Sequence, residues 1–263
     1  MSTILDTIAD YARLRVAQDA QAHSLEELKA LCQQVGPGNG AAFERALTKD
    51  GMSFICEVKK ASPSKGIIAE DFPYLHIARA YEAAGAECIS CLTEPKWFLG
   101  SDEIFNQIRA TVSTPMIRKD FTVDEYQLYQ ARLMGADCVL LICALLDTET
   151  IQRYLTICES LGLAALVEAH DPDQIRSAVS AGAKIIGVNN RNLHDFSVDF
   201  SNAARLRDLI PPERIYVAES GVSAPSDIAQ LSRIGADAAL VGELLMRAGD
   251  KKKMLSEMRR FAQ

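Results

Sequence analysis

Short, almost wholly apolar runs recur along the chain, separated by longer stretches in which apolar residues keep helical spacing. Four of these runs are entered in the same way. A helix-like stretch ends at Gly85-Ala86-Glu87, Gly135-Ala136-Asp137, Gly182-Ala183-Lys184 or Gly235-Ala236-Asp237 and gives way at once to apolar residues, at intervals of about fifty residues. Glycine suits that position because the residue after a last helical turn often takes a left-handed conformation that other side chains resist, so each copy reads helix, stop, strand. Further apolar runs lie between the copies, at Pro115 to Ile117, Leu163 to Val167 and Ile215 to Ala218, with Phe54 to Val58 ahead of the first. The pattern predicts eight strands alternating with helices from about residue 53. Strands apolar on both faces belong to a parallel sheet covered on both sides, and the economical closure of eight such units is a (βα)8 TIM barrel of the α/β class.

Residues 1–50 stand outside that count. They look helical, with Ile4, Ile8 and Tyr11 at helical spacing, a capping box from Ser24 to Glu27 ahead of Leu28 and Leu31, and a break at the GPGNG stretch 36–40. So few apolar positions would make a marginal core alone, which predicts a single barrel domain over 1–263 carrying 1–50 as a helical N-terminal extension packed on it, placed to help cover the active-site end.

Composition narrows the function. The formal charge is -7, which argues against a general nucleic-acid binder, since neutralising phosphates calls for a basic face. No apolar stretch reaches membrane-spanning length, and the start MSTILDTIAD lacks the basic and apolar regions of a secretory signal, so the expected location is cytoplasmic. Seven cysteines, an odd and scattered set, suit a reducing compartment better than a disulfide framework. Cys88 and Cys91 have CxxC spacing, but strand alternation would turn their thiols to opposite faces, as for buried structural cysteines. The four histidines, at 23, 76, 170 and 194, show no metal-ligand spacing; only His170, two residues after Glu168, falls near the polar strand ends described next. Lys251-Lys252-Lys253 reads as a solvated face of the last helix.

Reacting groups in such barrels sit where strands end, and polar residues gather there. The first strand ends in Glu57-Val58-Lys59, the third in Arg118-Lys119-Asp120, the fifth in Val167-Glu168, the sixth in Val188-Asn189-Asn190-Arg191, the seventh in Glu219-Ser220-Gly221 and the eighth in Val241-Gly242. Any one of these could be a loop residue or a local ion pair; strands far apart in sequence delivering ionisable and amide groups to one rim make a site. The glycines of Glu219-Ser220-Gly221 and Val241-Gly242-Glu243 suit an anion held by backbone N–H groups, and Ser62, Ser64 and Lys65 after the first strand can add donors to it.

The stretch Ile55-Cys56-Glu57-Val58-Lys59-Lys60-Ala61-Ser62-Pro63-Ser64-Lys65-Gly66 resembles the signature of indole-3-glycerol-phosphate synthases. Further matches follow in order: Thr93-Glu94 with Phe98 and Gly100, Arg118 to Phe121, Leu166 to Glu168, Gly187 to Arg191, Ala218 to Gly221, and Gly242-Glu243 with Leu245-Met246-Arg247. The resemblance implies ring closure of 1-(2-carboxyphenylamino)-1-deoxyribulose 5-phosphate with loss of carbon dioxide and water, in tryptophan biosynthesis, with no cofactor and no metal. It makes Lys119 the general acid and Glu168 the general base for dehydration. Lys59 would hold the anthranilate carboxylate, with its share in the acid step left open, and Glu57 and Glu219 would orient the lysines and keep them charged. Asn189 and Arg191 would contact substrate hydroxyls or order the network. Ser62, Ser220, Gly221, Gly242 and Glu243 would form the phosphate end, Glu243 through its backbone N–H with its side chain turned away. Phe98, Phe121, Leu140 and Leu193 would grip the aromatic ring. The partner implied is a small sugar-phosphate, not nucleic acid or membrane, and no partner protein is indicated. The chain is too short for a second, fused isomerase barrel.

Two other classes fit the fold. A Schiff-base aldolase would need a neutral lysine, which the carboxylates of Glu57, Glu168 and Glu219 oppose. A non-catalytic phosphate-binding barrel would be indifferent to the loss of Lys119 and Glu168.

Overall fold

The computed structural model describes residues 3–192 and 197–262. Eight parallel strands form a closed barrel in sequence order: β1 (Ser53–Val58), β2 (Cys88–Leu92), β3 (Met116–Lys119), β4 (Cys138–Ile142), β5 (Ala164–Ala169), β6 (Ile185–Asn189), β7 (Ile215–Glu219) and β8 (Ala238–Val241), the last pairing with β1. Helices alternate with them, as expected of a (βα)8 barrel. The four helix-stop glycines, Gly85, Gly135, Gly182 and Gly235, all have φ between 72° and 89°, the left-handed conformation their place required.

Strand alternation divides the core in two. Phe54, Cys56, Ile89, Cys91, Val139, Val167 and Ile186 face out against the helices, whereas Ile55, Cys88, Ile117, Leu140, Leu166, Ile185, Val217 and Leu240 fill the barrel. Cys88 and Cys91 fall in different clusters, on opposite faces as predicted, and both are free thiols. The outer cluster is the larger because each strand buries its outward face under a helix.

The first fifty residues make three helices, α1 (Ile4–Ala22), α2 (Leu25–Val35) and α3 (Gly40–Leu47). Ser24 and Glu27 form the expected capping box on α2, and Thr3 with Asp6 form a second one on α1. Phe43, Ala46 and Leu47 of α3 join the inner cluster and close the bottom of the barrel. A Cβ at Gly40 would overlap the backbone of Leu163 and Ala164, so this helix packs on the barrel backbone to backbone. At the opposite end, Ile4, Leu5 and Ile8 of α1 line the mouth of the main cavity.

Two local features lie outside the expectation. The segment after β1 is a short antiparallel hairpin pairing Ala61 with Ile67 and Ser62 with Gly66. Lys251 is only partly solvated: its ammonium donates to the carbonyls of Met246 (2.8 Å) and Ala248 (2.6 Å) at the end of helix Glu243–Arg247, whereas Lys252 and Lys253 are exposed.

Candidate active site

In six of the eight strands the candidate residue is the next inward position above an apolar residue of the barrel interior. Glu57 follows Ile55, Lys119 follows Ile117, Glu168 follows Leu166, Asn189 follows Gly187 and Ile185, Glu219 follows Val217, and Gly242 follows Leu240. The period of two thus carries each of them to the upper end of the core, where a cavity of ≈ 940 Å³ opens. Its lining includes all the sequence-predicted site residues within the described part of the chain: Glu57, Lys59, Ser62, Phe98, Lys119, Phe121, Glu168, Asn189, Arg191, Glu219, Ser220, Gly221, Gly242 and Glu243, together with Leu140. Leu193 lies outside the described residues, as does His194.

Charge is concentrated at the floor. Lys119 Nζ lies 3.3 Å from Glu219 Oε2 and 3.8 Å from Glu168 Oε2. Lys59 pairs with Glu57, whose Oε1 also accepts from Ser90 Oγ at 3.5 Å. The three carboxylates are almost fully buried. Burial disfavours the Lys119 ammonium, but Glu219, Glu168 and Glu57 outweigh it and hold the lysine protonated well above its ordinary range. Burial likewise opposes ionisation of Glu57, yet Lys59 and Lys119 keep it below the usual carboxylate range. Glu219 goes the other way: burial, helped by the Glu168 and Glu57 carboxylates against the pull of Lys119, raises it to about 8.

Two glycines make this packing possible. A Cβ at Gly187 would overlap Glu219 Oε1, and one at Gly242 would overlap Glu57 Oε2 and come within 2.9 Å of Lys59 Nζ. Register adds to it, setting Glu168 beside Gly187 and Asn189 beside Glu219. Asn189 is buried and its Oδ1 accepts the backbone N–H of Arg191 at 3.0 Å, which fixes the turn out of β6.

The walls differ in character. Phe98 and Phe121 stand 5.9 Å apart with rings tilted by 44°, giving an apolar surface on one side. Phe98 is set by Glu94, fully buried, whose carboxylate accepts the backbone N–H groups of Lys96, Trp97 and Phe98. On the other side lie Ser62, Ser64, Lys65, Ser220, Gly221, Gly242 and Glu243. Ser220 and Gly221 both have positive φ, at 64° and 94°. For Ser220 that is an uncommon conformation, of the kind held where surrounding structure over-determines it. The Glu243 side chain does not simply turn away: it lies 3.6 Å from Lys65 Nζ and accepts from Arg247 Nε at 3.0 Å, linking the rim cations.

Sequence reasoning missed one member of the site's support. Arg15 of α1 makes a two-pronged ion pair with Asp120, at 2.7 and 3.2 Å, next to Lys119. Asp120 also accepts from Thr93 Oγ1 at 2.7 Å and the Phe121 N–H at 2.8 Å. Positions 8, 11 and 15 share one helical face, so the apolar spacing already noted continued into this arginine.

Comparison with known proteins follows the same lines. A profile of the family described as indole-3-glycerol phosphate synthase matches residues 5–258. Among curated proteins, the indole-3-glycerol phosphate synthase of Ruminiclostridium cellulolyticum is 52% identical over 256 residues, covering 97% of this chain and 98% of the relative. That of Lachnoclostridium phytofermentans is 43% identical over 267 residues, covering 97% and 98%. Among solved structures, 3-hexulose-6-phosphate synthase from Salmonella typhimurium superposes with a TM-score of 0.66 at 14% identity, covering 80% of this chain and 98% of that one, a likeness of fold alone.

Proposed function

The chain belongs to the indole-3-glycerol phosphate synthase family, carboxy-lyases of tryptophan biosynthesis, and from that premise we propose how its own residues divide the work. The substrate is 1-(2-carboxyphenylamino)-1-deoxyribulose 5-phosphate. Its phosphate is held at the rim by Ser62, Ser64, Lys65 and the backbone N–H groups of Ser220, Gly221, Gly242 and Glu243. Its aromatic ring lies against Phe98, Phe121 and Leu140, and its carboxylate meets Lys59. Asn189 and Arg191 engage the hydroxyls between the two ends.

Lys119 gives a proton to the ketone oxygen as the ring carbon bonds to the ketone carbon, so the developing alkoxide becomes a hydroxyl. The carboxylate then leaves as carbon dioxide and its bonding pair restores the aromatic ring. Glu168 removes a proton from the carbon next to nitrogen, the Lys59 ammonium, freed by the loss of the carboxylate, gives a proton to the hydroxyl so that it departs as water, and the pyrrole double bond forms. Glu57 and Glu168 keep the two lysines charged, and Glu219 holds Lys119 in place by accepting its hydrogen bond.

The observation that carries this reading is the position of Lys119 among three buried carboxylates, which favour an ammonium acid and oppose the neutral nucleophile a Schiff-base aldolase needs. We read residues 1–263 as one domain with 1–50 as an extension on the barrel, supported by the packing of α1 and α3 against its two ends. No helix among the described residues is long and apolar enough to cross a membrane. We place the protein in the cytoplasm, with no nucleic-acid partner, on its free thiols and acidic charge. Incubation of the purified chain with the substrate, without metal or nucleotide, tests the activity: indole fluorescence should appear at an enzymic rate, and its absence would sink the assignment.

A further inference from the structure

We propose that Asn190 is a positioning residue of the phosphate site: its side-chain amide holds the Ser220 carbonyl and so turns the next N–H, that of Gly221, towards the substrate cavity. The two asparagines at the end of β6 face opposite ways, as alternation along the chain requires. Asn189 lines the main cavity. Asn190 is buried, bonds the helix Ser201–Leu206 on the outside of the barrel, and lines only a neighbouring cavity of ≈ 450 Å³.

Every polar group of Asn190 is engaged. Its backbone N–H donates to the Glu219 carbonyl at 2.9 Å, and its own carbonyl accepts the Asp199 N–H at 2.9 Å. In the side chain, Oδ1 accepts the Ala203 N–H at 2.9 Å while Nδ2 donates to the Ser220 carbonyl at 3.0 Å. A backbone N–H can only donate and a carbonyl only accept, so these two bonds determine which end of the amide is which. One residue thus grips two successive carbonyls, those of Glu219 and Ser220, at the point where β7 ends. That grip accounts for Ser220, whose φ of 64° is uncommon for a residue with a side chain and persists where the surroundings hold it.

The consequence follows from the planarity of the peptide. No peptide bond among the described residues is cis, so the Ser220 carbonyl and the Gly221 N–H point in opposite directions. With the carbonyl drawn outward to Asn190, the N–H is directed towards the cavity that Ser220 and Gly221 line. It has no hydrogen-bond partner among the described residues and is free to meet an anion. A Cβ on Gly221 would come within 2.7 Å of the Phe200 ring, so packing leaves this turn little room to shift as a whole. A peptide turned the other way would present the Ser220 carbonyl to the phosphate, replacing an attractive donor by an oxygen that repels it.

This inference rests on the reading of Ser220 and Gly221 as the phosphate end, and the test separates the two. Competitive inhibition by inorganic phosphate and by anthranilate is measured on the full chain and on Asn190→Asp and Asn190→Ala, together with kcat and KM. Both variants should weaken inhibition by phosphate about tenfold and raise KM to a like degree, with kcat and inhibition by anthranilate changed by less than about twofold. In the wild type the Gly221 amide proton resonance should move downfield as phosphate is added. Unchanged phosphate inhibition in the variants, or a loss of kcat and anthranilate inhibition in step with it, overturns the positioning role. So does a weakened aspartate variant beside an unaffected alanine one, which marks an effect of charge alone. A wild type that phosphate does not inhibit overturns the phosphate reading instead. If neither variant folds, the Gly221 resonance decides: an amide unmoved by phosphate that does inhibit contradicts the turned peptide.

Discussion

Lys119 Nζ lies 3.3 Å from Glu219 Oε2, and the other oxygen of that carboxylate, Oε1, has no hydrogen-bond partner among the described residues. The ion pair is therefore one-sided, and burial with the neighbouring Glu168 and Glu57 charges leaves Glu219 at about 8 in the folded chain, above an ordinary glutamate at 4.5. A raised carboxyl favours the fold while it is protonated. That contribution is complete below about 4.5 and is lost as pH climbs through about 8. Glu219→Gln imitates the protonated form, so the variant should become progressively more stable than the wild type across this window, by roughly 1–3 kcal/mol at its alkaline end, while kcat falls. Denaturant unfolding at a series of pH values measures the gap; a gap that does not change with pH contradicts it.

Gly187 owes its place to Glu219, since a Cβ there would overlap Oε1. Gly187→Ala should displace the carboxylate and with it Lys119, lowering kcat by about a hundredfold with a smaller change in KM. Steady-state kinetics on a variant with a native circular dichroism spectrum checks this.

The two-pronged pair of Arg15 with Asp120 ties α1 to the strand end that carries Lys119. Arg15→Met leaves Asp120 with Arg118 at 3.7 Å and Thr93, and should cost about 2 kcal/mol. Because α1 also lines the cavity through Ile4, Leu5 and Ile8, KM should rise by roughly threefold to tenfold. Denaturant unfolding and substrate titration read the two effects.

Glu243 lies 3.6 Å from Lys65, and on the proposed phosphate site it would compete with the substrate phosphate for that ammonium. Glu243→Gln should lower KM by roughly threefold, and Lys65→Ala should raise it and weaken its dependence on salt. Substrate titrations at two ionic strengths test both.

The barrel was legible because its signals are local. A glycine at each helix stop, a run of apolar residues after it and alternation within the run all act over a few residues, and Glu57, Lys119, Glu168 and Glu219 could be found by asking what stood at each strand's end. Arg15 and Asp120 were not legible as partners: they are 105 residues apart and meet only because α1 folds back over the barrel mouth. The hairpin after β1 was not legible, because a ladder of two residue pairs has no periodicity to read. His170 could be placed near the site by counting from Glu168, and its Nε2 lies 3.6 Å from that carboxylate. Asn190 could be placed at a strand end, but its bond to Ser220, 30 residues away, exists only because β6 and β7 are neighbours in the barrel.

The account's central claim is that Lys119 acts before carbon dioxide leaves and Glu168 after. Rapid mixing of excess enzyme with substrate, following released carbon dioxide and indole fluorescence together, tests it most directly. Lys119→Met should release carbon dioxide at least about a hundredfold more slowly than the wild type, whereas Glu168→Gln should release it at close to the wild-type rate and fail to form the fluorescent indole. Prompt release of carbon dioxide by the Lys119 variant, or normal indole formation by the Glu168 variant, would contradict it.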